Sequence, residues 1–402
     1  MKKDSLNLDK IFKDDTDYTD VKVVSALDMR KPKIWISTGD KLLDMVMGGG
    51  IPVGKFVEIY GEPSTSKTTL AMQAVNYVIN VLGGLAYVND TEGGTWEFPN
   101  RNLELGLNPD RIKRCSYYRP TSVEDLFTRL EKFILKIVKL KIKVPILIVW
   151  DSIAASTAQR EIDDAYGKQT YAIQAKIISQ AHRKLVSLIV EHNIENVTFL
   201  WLNQAKVSQE QTAAFMPKKW VTFGGDAPKF YASIRVELLY GKVISTKKRR
   251  KTFNIGAEIK VKTTKNKLFD PFQTTRLHVL KRGTNNARAV YSWLKELDLI
   301  DDVSAAMKTR WKNGEKLFQN IDPAIELENC PTKNVRLLSG LRLGFTTEKS
   351  FYHLYKDYDV KLHRLIEEDY KELLDEVFCG ETGLDYKKPD ALVRDDDEAD
   401  EE

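Results

Sequence analysis

Residues 61–70, GEPSTSKTTL, carry side chains that could hold a nucleotide phosphate. The usual phosphate-loop pattern is G-x-x-x-x-G-K-[ST], and Gly61, Lys67 and Thr68 stand at the required offsets. In such a loop the lysine reaches the β- and γ-phosphates and the threonine hydroxyl binds Mg²⁺. Ser66 replaces the second glycine, which costs about 1–2 kcal/mol if that position needs a positive φ. Phosphate and metal contacts can offset a cost of that size, so the stretch predicts a working phosphate site.

Two carboxylates follow candidate strands and could complete the same chemistry. Asp151 ends the apolar run PILIVWD, where a carboxylate can support the Mg²⁺ shell. Glu92 follows LAYVND and could polarise an attacking water, with Asp90 as the rival candidate for that role. An ordinary solvated carboxylate is the alternative at each position.

Apolar runs that suit strands alternate with helical patterns from residue 36 to about residue 280. The strand candidates are KFVEIYG, LAYVND, PILIVWD, VTFLWLNQ and SIRVELLY, and the helical stretches are 67–82, 123–139 and 171–192. In the last helix Ile173, Ile177, Ala181, Leu185 and Leu188 share one face. The alternation predicts an α/β fold with a mostly parallel central sheet covered on both sides. EIKVKTTKNK and TTRLHVLKRG read as a final antiparallel pair.

The 402 residues are enough for one large domain and a smaller one, and four regions are expected: 1–34, 35–285, 286–388 and 389–402. The last eight residues, DDDEADEE, hold seven of the 57 acids; without them 50 acids face 62 bases, a net charge of +12. A basic body attracts polyanions, and an acidic tail either competes for that surface or only aids solubility.

The three cysteines are far apart and are expected to be reduced. No apolar run approaches ~20 residues, and the N-terminus lacks a secretory core, so an intracellular protein is expected.

Several motifs together resemble the RecA recombinase family. They are ISTGDKLLDMVMGGGIPVGKFVEIYGEPSTSKTTL, VWDSIAAST, ISQAHRKL, LNQ, FGGDAPKFYASIRVEL and KNKLFDPF, in family order over about residues 36–280. The irregular phosphate loop is similar to those of bacteriophage recombinases of the UvsX kind. The resemblance implies a RecA-like P-loop ATPase core with a short N-terminal segment, a candidate polymerisation arm, and a smaller C-terminal α/β domain, where RWKNGEKL is similar to a family turn.

The resemblance also implies roles for individual residues. ATP would lie on Gly61, Glu62, Pro63, Ser64, Thr65, Ser66, Lys67, Thr68, Thr69 and Asp151, with Mg²⁺ on Thr68 and Asp151. Glu92 would be the general base, and Gln204 would sense the γ-phosphate for the adjoining DNA loop. Lys265 and Lys267 would reach the nucleotide of the neighbouring subunit; a solvated basic strand end is the alternative. The segment GGTWEFPNRNLELG is longer than its family counterpart, so adenine contacts are not placed.

Two segments are expected to be DNA-binding loops. Residues 161–171 offer Lys168 with Tyr166 and Tyr171. Residues 205–225 offer lysines, aromatic side chains and a glycine pair: Lys206, Phe215, Lys218, Lys219, Trp220, Phe223, Gly224 and Gly225. Lysines match phosphates and aromatic rings stack on bases, although the aromatic residues could instead pack in a subunit interface. The basic run 245–254 is either a solvated hairpin tip or a guide for DNA.

The expected function is a DNA-dependent ATPase of homologous recombination and DNA repair. It would form a helical filament of itself on single-stranded DNA and exchange strands with double-stranded DNA. A single-strand-binding protein and a loading mediator are further candidate partners, and the cytoplasm of a bacterial or phage-infected cell is the expected location. Two alternatives stay open: a hexameric helicase or branch-migration motor on the same core, and a regulatory paralogue without long filaments.

Overall fold

A computed structural model describes residues 34–93, 98–163, 173–207, 220–315, 317, 330–336, 342–345 and 350–352. These residues divide into two units, one ending at Ala289 and one starting at Val290. The predicted boundary at residue 285 lies near this division. The predictions for residues 1–33 and for the acidic tail lie outside the described residues.

The first unit is built on a large sheet with strands in the order β12-β11-β10-β9-β3-β7-β6-β4-β5. Their bounds are β3 Phe56–Gly61, β4 Leu85–Asp90, β5 Cys115–Tyr118, β6 Ile146–Asp151, β7 Val197–Val207, β9 Ile234–Lys248, β10 Lys251–Asn266, β11 Thr274–Leu280 and β12 Gly283–Thr284. Strands β9, β3, β7, β6, β4 and β5 run parallel, and β10, β11 and β12 continue the sheet antiparallel. Strand β8 (Trp220–Thr222) pairs with β7, and β1 (Trp35–Ile36) pairs with β2 (Ile51–Pro52). The mostly parallel sheet predicted from the alternating pattern is confirmed.

Helices cover both faces of this sheet. The helices of the first unit are α1 Lys41–Met47, α2 Lys67–Asn80, α3 Phe98–Glu104, α4 Val123–Lys139, α5 Gln159–Asp163, α6 Ile173–Glu191 and α7 Ala227–Tyr231, with a 3₁₀ helix at Pro109–Arg114. Helix α8 (Asn286–Glu296) begins at the end of this unit and continues into the second. None of the helices in the described ranges is long and apolar enough to cross a membrane.

The two faces of the sheet bury separate cores. In β6, Leu147 and Val149 join the core under α2, while Ile148 and Trp150 join the core under α4 and α6. Side chains alternate across a strand, so a strand buried on both faces must be apolar at every position. This explains the unbroken run ILIVWD, which ends at Asp151 where the strand reaches the sheet edge.

The predicted elements differ from the structure in a few places. The helix expected over 67–82 ends at Asn80. In α6 the predicted residues Ala181 and Leu185 are buried, and Ile177 and Leu188 pack half-buried against the same core. Ile178 and His182 are buried as well, which was not predicted. Strand β5 was missed. The DNA loops are shorter than expected: 161–163 belong to α5, and 205–207 and 220–222 form paired strands.

The basic run 245–254 forms the end of a long two-stranded hairpin. Strand β9 extends to Lys248, eight residues beyond the predicted SIRVELLY, and pairs with β10 from Lys251 onward. The turn consists only of Arg249 and Arg250, so residues 245–248 and 251–254 are strand, not loop.

The second unit holds a three-stranded antiparallel sheet of β13 (Ile300–Asp302), β14 (Lys333–Arg336) and β15 (Arg342–Phe345), with helix α9 at Ala305–Lys312. Tyr291, Phe345 and Phe351 pack as an aromatic cluster. These elements fit the smaller α/β domain expected at this end of the chain.

Candidate nucleotide and DNA site

The phosphate loop joins β3 to the N-terminus of α2. Gly61 has no room for a side chain, because a Cβ there would lie 2.0 Å from the carbonyl oxygen of Leu238. Ser64 and Ser66 both have positive φ, 62° and 65°. The replaced glycine position therefore does need the left-handed conformation, and serine adopts it directly before the first residue of α2. The loop presents backbone N–H groups and a helix N-terminus toward one place, as an anion site requires.

Lys67 is buried and folds back onto the loop. Its Nζ donates to the carbonyl oxygens of Glu62 at 2.7 Å and Gly61 at 3.2 Å, and lies 3.4 Å from the Thr65 hydroxyl. Burial lowers the pKa of Lys67, and the nearby Asp151, Glu92 and Glu62 carboxylates oppose that shift. Its hydrogen-bond partners among the described residues are neutral oxygens, so phosphate oxygens are stronger partners for it.

Thr68 and Asp151 meet at the edge of the sheet. The Thr68 hydroxyl donates to Oδ2 of Asp151 at 2.7 Å. Burial raises the pKa of Asp151 to about 6, and the neighbouring Glu92 and Asp90 add to the rise. A hydroxyl and a carboxylate are the hard oxygen donors that Mg²⁺ prefers, and Mg²⁺ characteristically takes one or two carboxylates together with substrate phosphates. The donor set therefore fits ATP with Mg²⁺.

Glu92 accepts two hydrogen bonds at one oxygen. Its Oε1 accepts from the Ser152 hydroxyl at 2.6 Å and from Nε2 of Gln204 at 3.1 Å. Asp90, the rival candidate for general base, uses its Oδ1 to accept the backbone N–H groups of Glu92 and Gly93. Asp90 thus shapes the turn that carries Glu92. Ser152 was missed in the sequence, and its position directly after Asp151 is the signal that could have found it.

The backbone of Gln204 is fixed by its neighbour in β7. Oδ1 of Asn203 accepts the Gln204 N–H at 2.9 Å, and Nδ2 of Asn203 donates to Glu58 and to the Phe223 carbonyl, each at 2.9 Å. Glu58 is fully buried and pairs with Arg235 at 2.6 Å. This network joins Phe223, the residue after β8, to Glu58 in β3, the strand that leads into the phosphate loop. Sequence reasoning missed Asn203, Glu58 and Arg235.

The first and last residues of the second DNA loop, 205–207 and 220–222, pair as two antiparallel strands, here called the ribbon. Val207 lies opposite Trp220, and Nζ of Lys206 lies 4.7 Å from the centre of the Phe223 ring. Gly224 and Gly225 follow with φ of 84° and 72°; added Cβ atoms would lie 2.8 Å from Ile153 and 2.9 Å from Ala175. Close packing therefore accounts for both glycines, and their DNA role stays a prediction. Lys168, Tyr166, Tyr171, Phe215, Lys218 and Lys219 lie outside the described residues.

Lys265 is held at the end of α7. Nζ of Lys265 donates to the carbonyl oxygens of Lys229 and Phe230 at 2.7 and 3.0 Å, where α7 ends. Burial lowers the pKa of Lys265, and the nearby charge of Lys267 adds to that effect. Within the described ranges no hydrogen bond joins either ammonium to residues 61–69. The role of the two lysines at another subunit's nucleotide stays a prediction.

Comparison with known proteins decides the family. The family model described as the RecA N-terminal domain matches residues 8–284. The chain belongs to the RecA family. A RecA protein of Rippkaea orientalis is 30% identical over 300 residues, 74% of this chain and 78% of the relative. RecA proteins of Chlamydia trachomatis serovar A (31% over 316 residues, 75% and 82%) and Campylobacter jejuni subsp. doylei (32% over 272 residues, 67% and 73%) are similar. Membership in the RecA family makes the chain a recombinase and a DNA-dependent ATPase, and it favours this function over the hexameric motor and the regulatory paralogue.

Proposed function

We propose that ATP and Mg²⁺ bind between residues 61–69 and Asp151, and that hydrolysis there regulates a helical filament on single-stranded DNA that exchanges strands with a duplex. The observation that carries this proposal is the pair of hydrogen bonds to Oε1 of Glu92. Ser152, which donates one of them, follows the candidate metal ligand, and Gln204, which donates the other, begins the ribbon toward the second DNA loop. One carboxylate oxygen of Glu92 therefore accepts from a residue beside the candidate metal site and from a residue beside the second DNA loop.

Residues of the phosphate loop would bind and orient the triphosphate. Lys67 exchanges the carbonyl oxygens of Gly61 and Glu62 for β- and γ-phosphate oxygens, which is favourable because a charge-assisted hydrogen bond replaces a neutral one. The Thr68 hydroxyl and Asp151 would hold Mg²⁺, whose chemistry is to neutralise the charge that develops on the phosphate oxygens.

Glu92 would accept a proton from the attacking water. Its Oε1 already accepts from two donors, so the proton would go to its other oxygen. Gln204 would exchange its bond to Glu92 for one to the γ-phosphate when ATP is present, and return when the phosphate leaves. Asn203 accepts the Gln204 N–H and donates to the Phe223 carbonyl, so the exchange would act on both sides of the ribbon and not only on the Gln204 side chain.

Lys265 and Lys267 would supply positive charge to the neighbouring subunit's nucleotide, as an arginine finger does. Single-stranded DNA would bind near the two loops, at Lys206, Trp220 and Phe223 and at the loop residues Lys168, Phe215, Lys218 and Lys219. The support for this placement is the ribbon of β7 and β8, which starts at Ala205, directly after the residue that contacts Glu92.

Electron microscopy and ATPase assays test the proposal together. With single-stranded DNA and a non-hydrolysable ATP analogue the protein should form extended filaments. Gln204→Ala should bind nucleotide but lose stimulation of ATPase by DNA and lose the extended filament. Gln180→Ala, an exposed glutamine on α6, is the matched control and should behave as the parent protein. Full DNA stimulation in Gln204→Ala would show that the coupling runs elsewhere.

The same proposal includes three further points. The protein is a recombinase of the bacteriophage type, it acts in the cytoplasm, and its partners include a single-strand-binding protein and a loading mediator. Ser66 in the glycine position supports the phage type, whereas the relatives named above are bacterial. A sequence tree that groups the chain within bacterial RecA proteins, apart from phage recombinases, would remove this part. Pull-down with a purified single-strand-binding protein and a loading mediator tests the partners.

A further inference from the structure

A charged side chain lies in the interior of the central sheet. Glu58 is the third residue of β3, FVEIYG, and it is fully buried. Burying a carboxylate is costly unless it is paired and hydrogen-bonded. Replacing a buried ion pair by well-packed apolar side chains is often neutral or stabilising. An apolar residue would therefore satisfy the fold at this position, and folding alone does not explain the glutamate.

Both oxygens of Glu58 accept hydrogen bonds from neighbouring strands. Oε1 accepts from Nδ2 of Asn203 in β7 at 2.9 Å, and Oε2 accepts from Nε of Arg235 in β9 at 2.6 Å. Asn203 is fully buried, and the Arg235 side chain is only 14% exposed. Little water reaches these two bonds, which strengthens them. One carboxylate therefore holds a side chain on each side of β3.

On one side the carboxylate fixes the orientation of the Asn203 amide. Nδ2 of Asn203 faces two groups that only accept, Glu58 and the Phe223 carbonyl, so Oδ1 is left for the Gln204 N–H. Gln204 in turn donates to Glu92. The contact between Gln204 and Glu92 therefore depends, through Asn203, on an acceptor at position 58.

On the other side the carboxylate reaches the surroundings of Lys265. Arg235 lies opposite Lys265 in the β9–β10 pair, and its guanidinium lies 4.5 Å from the centre of the Tyr60 ring. The Tyr60 hydroxyl donates to Thr264, the residue before Lys265, at 3.0 Å. Burial lowers the pKa of Lys265, the charge of Arg235 adds to that effect, and the Glu58 carboxylate opposes it. Glu58 therefore offsets the repulsion between two neighbouring cations.

The order of the strands makes these contacts continuous. Strands β10, β9, β3 and β7 are neighbours in the sheet. Lys265 lies opposite Arg235, and Arg235 lies opposite Glu58. Glu58 lies opposite Trp201, and Asn203 shares the Trp201 face of β7 because side chains alternate along a strand. Lys265, Arg235, Glu58 and Asn203, here called the cross-strand network, thus run from one strand to the next across the sheet.

We propose that Glu58 is a positioning residue that couples the nucleotide contact of its own subunit to the cation that this subunit offers to the next. Through Asn203 it holds Gln204 in reach of Glu92. Through Arg235 it sets the charge surroundings of Lys265. A change at Gln204 would then alter Lys265 by way of one buried carboxylate. This inference rests on the proposed function, because it joins two residues to which that function assigns separate roles.

Two variants remove the carboxylate, and one control removes a different one. Glu58→Gln keeps the shape but loses the charge. Glu58→Met combined with Arg235→Met replaces the whole ion pair by apolar side chains, so it should unfold in urea close to the parent protein. Glu258→Gln is the matched control, because Glu258 is also a buried glutamate of this sheet and is paired with Arg276 at 2.9 Å.

ATPase assays on mixed proteins test the two sides of the cross-strand network separately. In a mixture of Lys265→Ala with Lys67→Ala, hydrolysis occurs where an intact loop meets intact lysines. Adding Glu58→Gln to the Lys67→Ala protein tests the Lys265 side, since that protein contributes only its lysines. Adding Glu58→Gln to the Lys265→Ala protein tests the Gln204 side, since that protein contributes only its nucleotide site.

Each addition should lower the DNA-stimulated ATPase of the mixture by at least ~10-fold, since misplacing a group by about 1 Å can cost ~100-fold. The methionine pair should give the same losses although it folds normally, whereas Glu258→Gln in either protein should leave the activity of the mixture unchanged. A loss on one side alone, or on neither side, would overturn the coupling. Equal losses with Glu258→Gln would also overturn it, because any buried charge would then have the same effect.

Two reference measurements separate this failure from failure of the proposed function. If the parent protein shows no ATPase stimulation by single-stranded DNA, the function itself is wrong. If the parent is stimulated but Lys265→Ala with Lys67→Ala shows no rescue, the trans role of Lys265 is wrong and the coupling falls with it. If that mixture is rescued and Glu58→Gln changes neither side, only the role of Glu58 is wrongly assigned.

Discussion

Replacing Ser66 by glycine tests whether this phosphate loop is strained. Ser66 has φ of 65° and ψ of 23°, and its side chain makes no capping hydrogen bond to α2. A side chain in the left-handed region costs about 1–2 kcal/mol. Glycine removes that cost but adds about 0.5–1 kcal/mol of unfolded-state entropy. Ser66→Gly should therefore stabilise the first unit by about 0.5–1 kcal/mol.

The assay is thermal unfolding of the full chain without nucleotide. A gain of that size should raise the transition of the first unit by about 1–4 °C, since 1 kcal/mol moves the Tm of a unit of about 150–250 residues by about 2–4 °C. Ser66→Ala is the matched control: it also removes the hydroxyl but keeps the Cβ, so it should give no gain. Ser64→Gly, at φ of 62°, should repeat the gain.

ATP hydrolysis should persist in Ser66→Gly, because glycine adopts the φ that the loop already uses. The strain argument fails if Ser66→Ala raises Tm as much as Ser66→Gly does. It also fails if Ser66→Gly lowers Tm, since the serine side chain would then make a contact that the geometry does not contain.

Four further outcomes are expected. Lys67→Ala should abolish ATP hydrolysis; activity that survives would place the site elsewhere. Lys265→Ala and Lys267→Ala should lose DNA-stimulated ATPase, and mixing either with Lys67→Ala should restore some of it at junctions that pair an intact loop with intact lysines; no rescue counts against the trans role. Burial raises the pKa of Asp40 to about 7. The folded state therefore holds this proton more tightly, stability should fall by about 2–4 kcal/mol between pH 4 and pH 7, and Asp40→Asn should flatten that fall in urea unfolding. Deleting residues 395–402 should tighten duplex binding most at low salt; identical filter-binding curves would show that the tail leaves DNA alone.

Helix α4 shows what local sequence can predict. Its bounds agree with the prediction because several signals coincide: the Ser122 hydroxyl accepts the Asp125 N–H, Glu124 and Asp125 lie in the first turn, and one face is continuously apolar. Strand β5 was missed because four residues, CSYY, offer neither length nor alternation. Its place at the edge of the sheet is set by pairing with β4, a tertiary contact that no local pattern encodes.

The candidate site divides in the same way. Lys67, Thr68 and Asp151 follow from motif spacing and from the rule that parallel strands end at a common edge. Ser152 and Asn203 do not. Ser152 follows β6, where a hydroxyl usually meets water, and Asn203 lies within β7, where a polar side chain gives no local sign of its partner. Their roles depend on the directions of the two side chains in the folded sheet. In α6, the hydrophobic pattern placed Ile177, Ala181 and Leu185 on the core side correctly, but it did not predict that His182 is buried beside them, where it accepts the Trp201 indole N–H at 3.0 Å. A hydrophobic periodicity does not predict that a polar residue is buried together with its hydrogen-bond partner.

The continuity of β7 has a mechanical consequence. Phe199 to Leu202 are fixed in the two cores, Gln204 contacts Glu92, and Ala205 to Val207 are paired with β8, all in one unbroken strand. A hinge beside Gln204 would let the nucleotide site and the ribbon move independently, but paired backbone on both sides leaves no freely rotating joint. If Gln204 shifts with the nucleotide, as proposed, the strand would pass the displacement on to the ribbon as a change of angle. The expected response is therefore a movement of the ribbon with its backbone hydrogen bonds intact.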